Sequence, residues 1–374
     1  MTRRRDIARA VTAVLWAGAA CWSSAAHAET WAAPGARTFR WTIEIVGGGT
    51  AGIGTTAGKA TATFGAGSPF TAQNGSPSRT VPSWFFGDGA ALFGEVRSQF
   101  ASKFGLPLDG ITPLDSILHS TAARQGAGIE FGVRVARRVS SRLALEFSVT
   151  RGRASVKLTD PARSAIEASR ASFVKAFTSL LTTIPQTGLL VTATAAITEP
   201  PGAQTAATGG LTITVAQAGA LEVFATAGGG VLINGAKSTD VVLKGNYQFL
   251  FLDRYPINET DLVTLHITTP RRTAVGVFGG GVTVGRNGRQ GFRVDVRVSV
   301  GKNQLATSLD ARPASLHGQP SIALPSNTSP SIQFSSTTDT PSSLGGPAIS
   351  GAQTFGGTGL ALQVRVSAGY LIRF

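Results

Sequence analysis

The sequence predicts an all-β fold: an eight-stranded antiparallel transmembrane β-barrel with short periplasmic turns and long extracellular loops carrying two amphipathic helices. Three observations lead to this fold class. Apolar residues recur at every second position over several segments, the period of a strand with one apolar face. Charged residues make up only 14% of the 374 residues, and no run of about 18 apolar residues follows the N-terminus, which argues against a helical membrane protein. The connections between the alternating segments are short and long in turn, as in transmembrane barrels.

The C-terminal segment, 358–374, carries the most regular alternation. From Phe374 back to Leu360 every second residue is apolar, and the residues between them are mostly polar or small. At about 3.3 Å per residue and a tilt of about 45°, a strand of about fifteen residues rises roughly 35 Å, more than an outer-membrane apolar band of about 25 Å. Strands of soluble sandwiches usually have about 5–6 residues, so the length favours a membrane-spanning strand over a sandwich edge.

Seven further segments complete the predicted barrel. Their approximate bounds are 38–46, 127–137, 142–157, 210–217, 221–233, 273–285 and 290–302. The segments 221–233 and 273–285 are rich in Gly and alternate less regularly, and a flexible loop is the alternative interpretation of both. Glycine within a barrel strand permits bending and leaves room for large neighbouring side chains, which favours strands. The count becomes ten if 188–197 or 240–253 also crosses the membrane.

The connections between these segments are the independent test of the barrel. Three are short, at 138–141, 218–220 and 286–289, and the last contains an Asn-Gly turn signal. The four long connections are approximately 47–125, 158–209, 234–272 and 305–356. Long and short connections alternate without exception, so both termini are expected on the side of the short periplasmic turns.

The long loops contain patterns of their own. Residues 90–104 carry apolar side chains at i, i+4 spacing and predict an amphipathic helix. A second helix is predicted to begin with Asp160 as its N-cap and Pro161 at its first helical position. Residues 240–253 have the pattern of an extra strand. Residues 318–352 are rich in Ser, Thr, Pro and Gly and are predicted to be mobile.

The first 28 residues have the pattern of a secretory signal peptide. Four arginines lie within the first nine residues, Ala10–Ala20 is apolar, and Ala26-His27-Ala28 matches a cleavage site. Cleavage there would remove the single cysteine and lower the net charge from +14 to +11, because four arginines and Asp6 leave with it. The remaining chain, 29–374, is predicted to be the barrel, located in the bacterial outer membrane. An exported basic chain meets anionic lipid and lipopolysaccharide rather than nucleic acid.

The C-terminal residues resemble the last strand of bacterial outer-membrane β-barrels, whose aromatic end is read by the barrel-insertion machinery. Tyr370 and Phe374 match that C-terminal insertion signal. With the predicted signal peptide and strands, they make the chain similar to the small outer-membrane barrel family that includes the transmembrane domain of OmpA, OmpX and OmpW-like proteins. The resemblance is architectural, and the loops of this chain are much longer. No periplasmic peptidoglycan-binding domain is expected after the last strand, so a wall-anchoring role is not implied.

Charged residues on the inward parity of the strands predict a salt-bridge network in the lumen. They are Arg40, Glu44, Glu130, Arg134, Glu146, Asp295, Arg297 and Arg365. The lumen of eight strands is only wide enough for side chains to fill, and charges in such a space must pair. The network is therefore expected to plug the barrel, with a narrow charge-gated pore as the alternative.

Three cations lie on the outward parity of one strand, just beyond its apolar stretch: Arg151, Arg153 and Lys157. At that height they can bind lipopolysaccharide phosphates, because guanidinium groups form bidentate bonds with phosphate. The alternative is solubilising charge on the loops.

No residue pattern predicts a catalytic, cofactor-binding or metal site. After export only His119, His266 and His317 remain, with no cysteine, and these are too scattered for a metal cluster. The pair His119–Ser120 is superficially similar to barrel lipid A deacylases but lacks their fuller motif, so no enzyme activity is predicted. The predicted function is a structural or surface-interaction role of a monomer: membrane integrity, adhesion or binding by the loops. The alternatives are a narrow channel for small solutes or hydrophobic compounds, a lipid-modifying enzyme, and a soluble secreted β-protein.

Overall fold

The computed structural model describes residues 40–55, 67–72, 75–115, 123–235, 238–285, 289–302, 306–317, 322–323, 332–334, 342–345, 349, 354–356 and 360–374. The predicted signal peptide, 1–28, lies outside the described residues. The strands in chain order are β1 (Trp41–Thr55), β2 (Pro69–Thr71), β3 (Pro77–Arg79), β4 (Ala123–Gln125), β5 (Gly128–Arg138), β6 (Leu143–Ala154), β7 (Val156–Leu158), β8 (Gln186–Thr198), β9 (Gly202–Ala218), β10 (Leu221–Asn234), β11 (Thr239–Phe251), β12 (Tyr255–Thr268), β13 (Arg272–Val284), β14 (Gln290–Lys302), β15 (Ala306–His317), β16 (Ile322–Ala323), β17 (Gln333–Phe334), β18 (Thr354–Gly356) and β19 (Leu360–Arg373). The long helices are α1 (Gly87–Phe104) and α2 (Asp160–Leu181).

Eight of these strands form one closed antiparallel barrel. Around the barrel the order is β1–β19–β14–β13–β10–β9–β6–β5. Each barrel strand therefore pairs with the barrel strands that come before and after it in the chain. The first strand closes the barrel on the last, with Thr42 opposite Arg373. The predicted fold class is confirmed, and each of the eight predicted segments coincides with one barrel strand.

The two faces of the barrel wall differ in polarity, because successive side chains of a strand point to opposite sides. Apolar side chains on the outward face remain exposed, among them Ile45 (70%), Phe131 (68%) and Phe292 (63%). Inward positions on the same strands are buried and charged, as at Glu44 and Arg134. An exposed apolar belt around a closed wall with buried charges is the polarity that lipid requires, and it characterises a transmembrane barrel.

One end of the barrel carries only short connections, and we call it the turn end. They are 139–142, Gly219–Ala220 and 285–289. Gly219 and Gly285 have φ values of 57° and 85°, a left-handed backbone that glycine adopts without steric cost. The long connections leave from the opposite end, the loop end. The termini of the described chain meet at the turn end, where the backbone N–H of Arg40 donates to the carbonyl oxygen of Phe374 over 2.9 Å.

Three predicted strands differ clearly from the observed ones in their bounds. The strand predicted for 38–46 continues to Thr55. The strand predicted to start at residue 210 starts at Gly202, since its first half alternates small and hydroxylated residues rather than large apolar ones. The strand predicted for 142–157 leaves the barrel at Ala154. The next carbonyl, that of Ser155, accepts the backbone N–H of Gly126, and β7 then pairs with β4 in a separate two-stranded sheet.

The long loops fold into a second layered structure, which we call the loop domain: α1, α2 and the five-stranded sheet of order β18–β15–β12–β11–β8, with the segments packed on them. The alternative of ten membrane-spanning strands is therefore wrong, because β8 and β11 belong to this sheet and not to the barrel. Both helices and one face of the sheet share a core whose largest fully buried side chains are aromatic. They are Trp84, Tyr247, Phe85, Phe86, Phe93, Phe173, Phe177 and Phe334. None of the helices in the described ranges is long and apolar enough to cross a membrane.

The two helices lie close to their predicted positions. The first extends three residues further towards the N-terminus than predicted, to Gly87, and ends at Gly105, whose φ of 62° is the left-handed C-cap. The N-cap of α2 is Thr159 and not Asp160. Asp160 lies instead in the first turn together with Pro161, where a carboxylate complements the helix dipole and proline loses no hydrogen bond.

Several residues of the Ser/Thr/Pro/Gly-rich segment 318–352 are buried where the structure describes them, at 332–334 and 342–344. Ile332, Phe334 and Leu344 are 0% exposed in the core of the loop domain. The backbone N–H of Gln333 donates to the Ser343 hydroxyl over 2.9 Å. The prediction of a mobile segment did not foresee that these apolar side chains are buried in the core of the loop domain.

Candidate functional site

The centre of the lumen holds a cluster of buried charges, which we call the lumen network. Its members project inward from β1, β5, β6 and β14 because they share the inward parity of those strands. They are Glu44, Arg134, Glu146, Arg293, Asp295 and Arg297. None of them is more than 8% exposed. The three carboxylates and three guanidinium groups balance, so the cluster carries no net charge when all are ionised.

Arg134 lies at the centre of this network. One of its terminal nitrogens, Nη1, is 2.9 Å from a carboxylate oxygen of Glu44 and 2.9 Å from one of Asp295. Its Nε is 3.3 Å from Glu146. Arg297 bridges two of these three acids, at 2.6 Å from Glu146 and 2.9 Å from Asp295. Ion pairs that share partners in this way fix the positions of all the side chains involved.

Arg293 belongs to the network although the sequence analysis did not include it. Its Nη1 is 2.9 Å from Glu146 and its Nε is 3.2 Å from Asp295. Its guanidinium carbon also lies 3.9 Å from the centroid of the inward-facing Phe224 ring, a cation–π contact. The alternation along β14 could have identified Arg293 as a lumen residue, because Arg293, Asp295 and Arg297 are two residues apart and must face the same side.

Two other predicted lumen residues form a separate pair nearer the loop end. Arg365 on β19 makes an ion pair with Glu130 on β5, and Thr150 donates to the second oxygen of Glu130 over 3.2 Å. Arg40 is placed differently from the prediction: it precedes β1, it is exposed, and it makes no ion pair with any described residue. The parity argument was wrong for Arg40 because the inward pattern ends where the barrel wall ends.

At the loop end, the wall of the lumen opposite the Glu130–Arg365 pair is apolar. Ala206, Leu232, Val275 and Val277 face inward from β9, β10 and β13 and form a small apolar cluster, each at most 7% exposed. The lumen is therefore charged in its turn half and partly apolar in its loop half. A charged, fully paired layer can exclude water and ions, whereas the apolar cluster offers contacts to a hydrophobic group.

The cations predicted at the outer rim are exposed. Arg151 and Arg153 project outward from the loop end of β6. Lys157 is exposed too, but it lies on β7, outside the barrel wall. Arg272 on β13 and Lys302 on β14 are further exposed cations at the same end of the barrel.

The aromatic residues of the predicted insertion signal lie on the outward face at the turn end. Phe374 is 61% exposed. The ring of Tyr370 packs edge-on against Phe292 of the neighbouring β14, with ring centroids 5.3 Å apart. Trp41 is exposed beside them along the same end of the barrel, and the guanidinium of Arg137 lies 5.4 Å from its ring.

The loop domain contains a second group of buried polar residues. Glu259 and Asp261, two residues apart on β12, are both 0% exposed. Glu259 accepts hydrogen bonds from the hydroxyls of Tyr247 and Ser342. Asp261 accepts from the backbone N–H of Trp84 over 2.7 Å and from the hydroxyl of Ser83 over 2.9 Å. No sequence pattern marked these acids, because Ser83, Trp84 and Ser342 come from two other loops that are distant in the chain.

Burial dominates the protonation of this group. It raises the pKa of Asp261 to about 7, even though the hydrogen bonds from Trp84 and Ser83 act in the other direction. Burial and the neighbouring Glu259 carboxylate raise the pKa of Tyr247 well above its usual range. The cluster lies in the interior of the loop domain, where these protonation states affect the stability of its core.

No catalytic or metal site emerges from the residues that the structure describes. His119 and Ser120, the pair considered for lipid chemistry, lie outside them. Within the described ranges no group of three or more His, Cys, Asp or Glu could hold a metal ion. His266 instead lies between two carboxylates on the sheet, with Nδ1 at 2.9 Å from Asp240 and Nε2 at 3.6 Å from Asp310.

Comparisons with known proteins give weak likenesses only. No family model matches the chain, and no curated protein matches it. Similar solved structures include the monoaromatic hydrocarbon channel CymD, with 11% identity, a TM-score of 0.19 and coverage of 91% of this chain and 90% of that one. An outer-membrane channel from Pseudomonas putida F1 has 9% identity, a TM-score of 0.19 and coverage of 92% and 100%. The P. putida toluene transporter TodX has 11% identity, a TM-score of 0.17 and coverage of 91% and 91%. Values this low carry no argument about function.

Proposed function

We propose that this chain is an outer-membrane β-barrel whose sealed lumen anchors the loop domain at the cell surface, where it has a structural or surface-interaction role. One observation carries the proposal: at the level of Arg134, buried ion pairs join side chains from four strands of the barrel. The side chains of Arg134, Glu44 and Asp295 are 1–2% exposed. Water has no access to them, and an ion that crossed this layer would have to break several buried pairs at once.

The loop domain supports the surface role. Extracellular loops that only close a barrel need no core of their own, whereas these loops bury at least eight large side chains in one. If the turn end faces the periplasm, as the short connections and the meeting of the two chain ends favour, the loop domain stands outside the cell. A folded, rigid body in that position is suited to binding, because sites on packed elements are held more accurately than sites on solvated loops.

We also propose lipopolysaccharide as a partner of the barrel rim. Arg151, Arg153, Arg272 and Lys302 are exposed cations at the loop end, where the phosphate groups of the outer leaflet would lie. Cations there match those phosphates in charge, and the guanidinium groups also match them in shape. The outward-facing Tyr370 and the exposed Phe374 at the turn end fit the proposal that the barrel-insertion machinery reads this last strand.

Conductance in planar bilayers tests the sealed lumen. Barrels extracted from outer membranes and shown to be closed by a band shift on boiling are expected to give no conductance steps. The double variant Glu44→Ala/Arg134→Ala removes a matched pair, and it is expected to give small steps, which shows that the assay detects an opened lumen. Steps of similar size from the unaltered protein would overturn the sealed barrel.

A narrow channel for hydrophobic compounds is the second candidate, and the apolar cluster of Ala206, Leu232, Val275 and Val277 favours it. Accumulation of radiolabelled toluene is measured in cells with and without the chain. Faster uptake that is lost in Val277→Arg, with bilayers still silent to ions, would replace the structural role with hydrocarbon transport. Equal uptake in the two cell types supports the sealed anchor.

A further inference from the structure

We infer that the outward face of the five-stranded sheet is a binding site for an acidic saccharide, a carboxylated oligosaccharide recognised by hydroxyl, amide and ammonium groups. This face is opposite to the one that packs on the helices. It carries a groove of about 400 Å³ lined by side chains of β8, β11, β12 and β15, which we call the outer-face groove. That volume is within the range of about 300–1,000 Å³ found for ligand sites.

Part of the groove is held rigid by hydrogen bonds between neighbouring strands. The side-chain amide nitrogen of Asn246 donates to Asn258 over 2.7 Å and to Thr260 over 2.9 Å. Ser315 also donates to the Thr260 hydroxyl, over 2.8 Å. These bonds join β11, β12 and β15 and fix the floor of the groove, so that little side-chain freedom is lost when a ligand binds.

The remaining polar groups of the groove are free to bind. Thr192, Thr194 and Lys244 are exposed, and they make no side-chain hydrogen bond or ion pair with any described residue. They offer two hydroxyls, each a donor and an acceptor, and an ammonium with three donors. The lining contains no aromatic or aliphatic side chain, so an apolar ligand would gain nothing here, while a polyhydroxylated one would find a partner for each group.

The charge of the groove favours an acidic sugar over a neutral one. Lys244 is opposite Leu262, which is opposite Arg312 on the next strand, so the two cations occupy one cross-strand row. Strands are about 4.8 Å apart, which places the backbones of Lys244 and Arg312 roughly 10 Å from each other. Arg312 is exposed as well. Two cations at this spacing, with Leu262 between them, suit a chain that repeats its negative charge.

The acids of this sheet face do not neutralise Lys244. Asp240 and Asp310 lie nearer the barrel, on the rows of Thr198 and Ala196, and both flank His266. Nor does Lys244 have the role of a charge that blocks an exposed sheet edge, since β11 is paired on both sides, with β8 and β12. Lys244 therefore lies in the middle of a five-stranded sheet with no ion-pair partner among the described residues, which leaves its ammonium group available to a ligand.

The site rests on the proposed function for its location at the cell surface, but its binding can be measured without it. The full chain, purified in detergent micelles, is titrated calorimetrically with hexameric oligogalacturonate and, separately, with neutral maltohexaose. Saturable binding is expected for oligogalacturonate and none for maltohexaose. The variant Lys244→Ala is expected to weaken the affinity at least ten-fold and Thr192→Val several-fold. Lys175→Ala, which removes an exposed lysine of the same domain from α2, is expected to leave the affinity unchanged.

Three outcomes would overturn the inference. They are the absence of saturable oligogalacturonate binding, equal affinity in Lys244→Ala, and an equal loss of affinity in Lys175→Ala, which would mean attraction by net charge alone. Thr192→Val keeps the size of the side chain at an exposed position, and resistance of the loop domain to limited proteolysis verifies the fold of each variant. Binding by the purified protein but not by intact cells would leave the groove in place and overturn the surface location instead.

Discussion

Single residues of the lumen network matter because each has several buried partners. Replacing Arg134 by Met keeps much of the side-chain volume but leaves Glu44 and Asp295 with one cation fewer. Removing one member of a buried ion pair typically costs about 3–5 kcal/mol. We expect a loss of that size in the free energy of barrel unfolding, measured by urea titration in micelles with Trp41 as the fluorescent reporter.

The exposed Arg40 is the matched control for this prediction. It is also an arginine at a position first assigned to the lumen, but it makes no ion pair with a described residue. Arg40→Met is expected to change the unfolding free energy by less than about 0.5 kcal/mol, as surface substitutions do. If the two variants were equally stable, the lumen network would contribute nothing to the barrel.

A second residue-scale prediction concerns pH and the buried Asp261. Its folded-state pKa of about 7 lies above its ordinary value, so its contribution to stability is complete below that ordinary value and is lost as the pH rises through about 7. Between pH 5 and pH 8.5 the loop domain should lose about 2–3 kcal/mol, since each pH unit below the folded pKa is worth about 1.4 kcal/mol. Unfolding is followed by the fluorescence of the buried Trp84.

The control for the pH effect is Asp261→Asn. The amide retains an oxygen that can accept from the Trp84 backbone and the Ser83 hydroxyl, but it does not titrate in this range. The difference in stability between pH 5 and pH 8.5 should therefore shrink in this variant. An unchanged pH dependence would assign the effect to another group.

At the scale of the strand, the Gly-rich segments are explained by how closely the barrel strands approach one another. A Cβ atom added to Gly279 on β13 would lie 2.1 Å from the backbone carbonyl oxygen of Val296 on β14. One added to Gly276 on the same strand would meet nothing closer than the Val300 carbonyl at 4.0 Å. Gly279→Ala is thus expected to reduce the fraction of protein that shows the band shift of a closed barrel, whereas Gly276→Ala should leave it unchanged. Equal fractions in both variants would mean that the backbone of the barrel can shift enough to accommodate a Cβ atom at Gly279.

The barrel strands could be predicted from the sequence because lipid imposes a period of two on each of them separately. The sequence of β19 alone contains its length, its outward face and its aromatic end. The inward position of most lumen charges followed from the same parity, which also explains why Arg293 could have been found. The pairing between particular charges could not, because it depends on the register of strands such as β1 and β5, and no single strand contains that information.

The fold of the loop domain could not be predicted from the sequence, for a different physical reason. Its core joins Trp84, Phe177, Tyr247 and Phe334, which come from four different long loops. Each loop displayed a local pattern, a helix or an extra strand, but the apolar face of each is buried only by the others. The outer-face groove has the same origin, since Thr192, Lys244 and Ser315 become neighbours only when three loops form one sheet.

At the scale of the whole molecule, the barrel and the loop domain are held by different interactions and should fail separately. The barrel is closed by backbone hydrogen bonds around eight strands and by the lumen network, whereas the loop domain depends on an aromatic core. Phe177 is at the centre of that core, with its ring 4.3 Å from Tyr247, 5.2 Å from Phe93 and 5.4 Å from Trp84 between centroids. Phe177→Ala should cost the loop domain about 3–5 kcal/mol.

Two measurements on that variant distinguish the parts. Limited proteolysis should cut the loop domain of Phe177→Ala at a protease concentration that leaves the unaltered protein intact, because the domain opens more often. The band shift on boiling should persist, because a closed barrel in an apolar phase cannot open without exposing unpaired backbone groups. Lys175→Ala, on the exposed side of the same helix, should change neither readout. Loss of the band shift in Phe177→Ala would show instead that the loop domain is needed to close the barrel, and the anchor and the surface body would then be one cooperative unit.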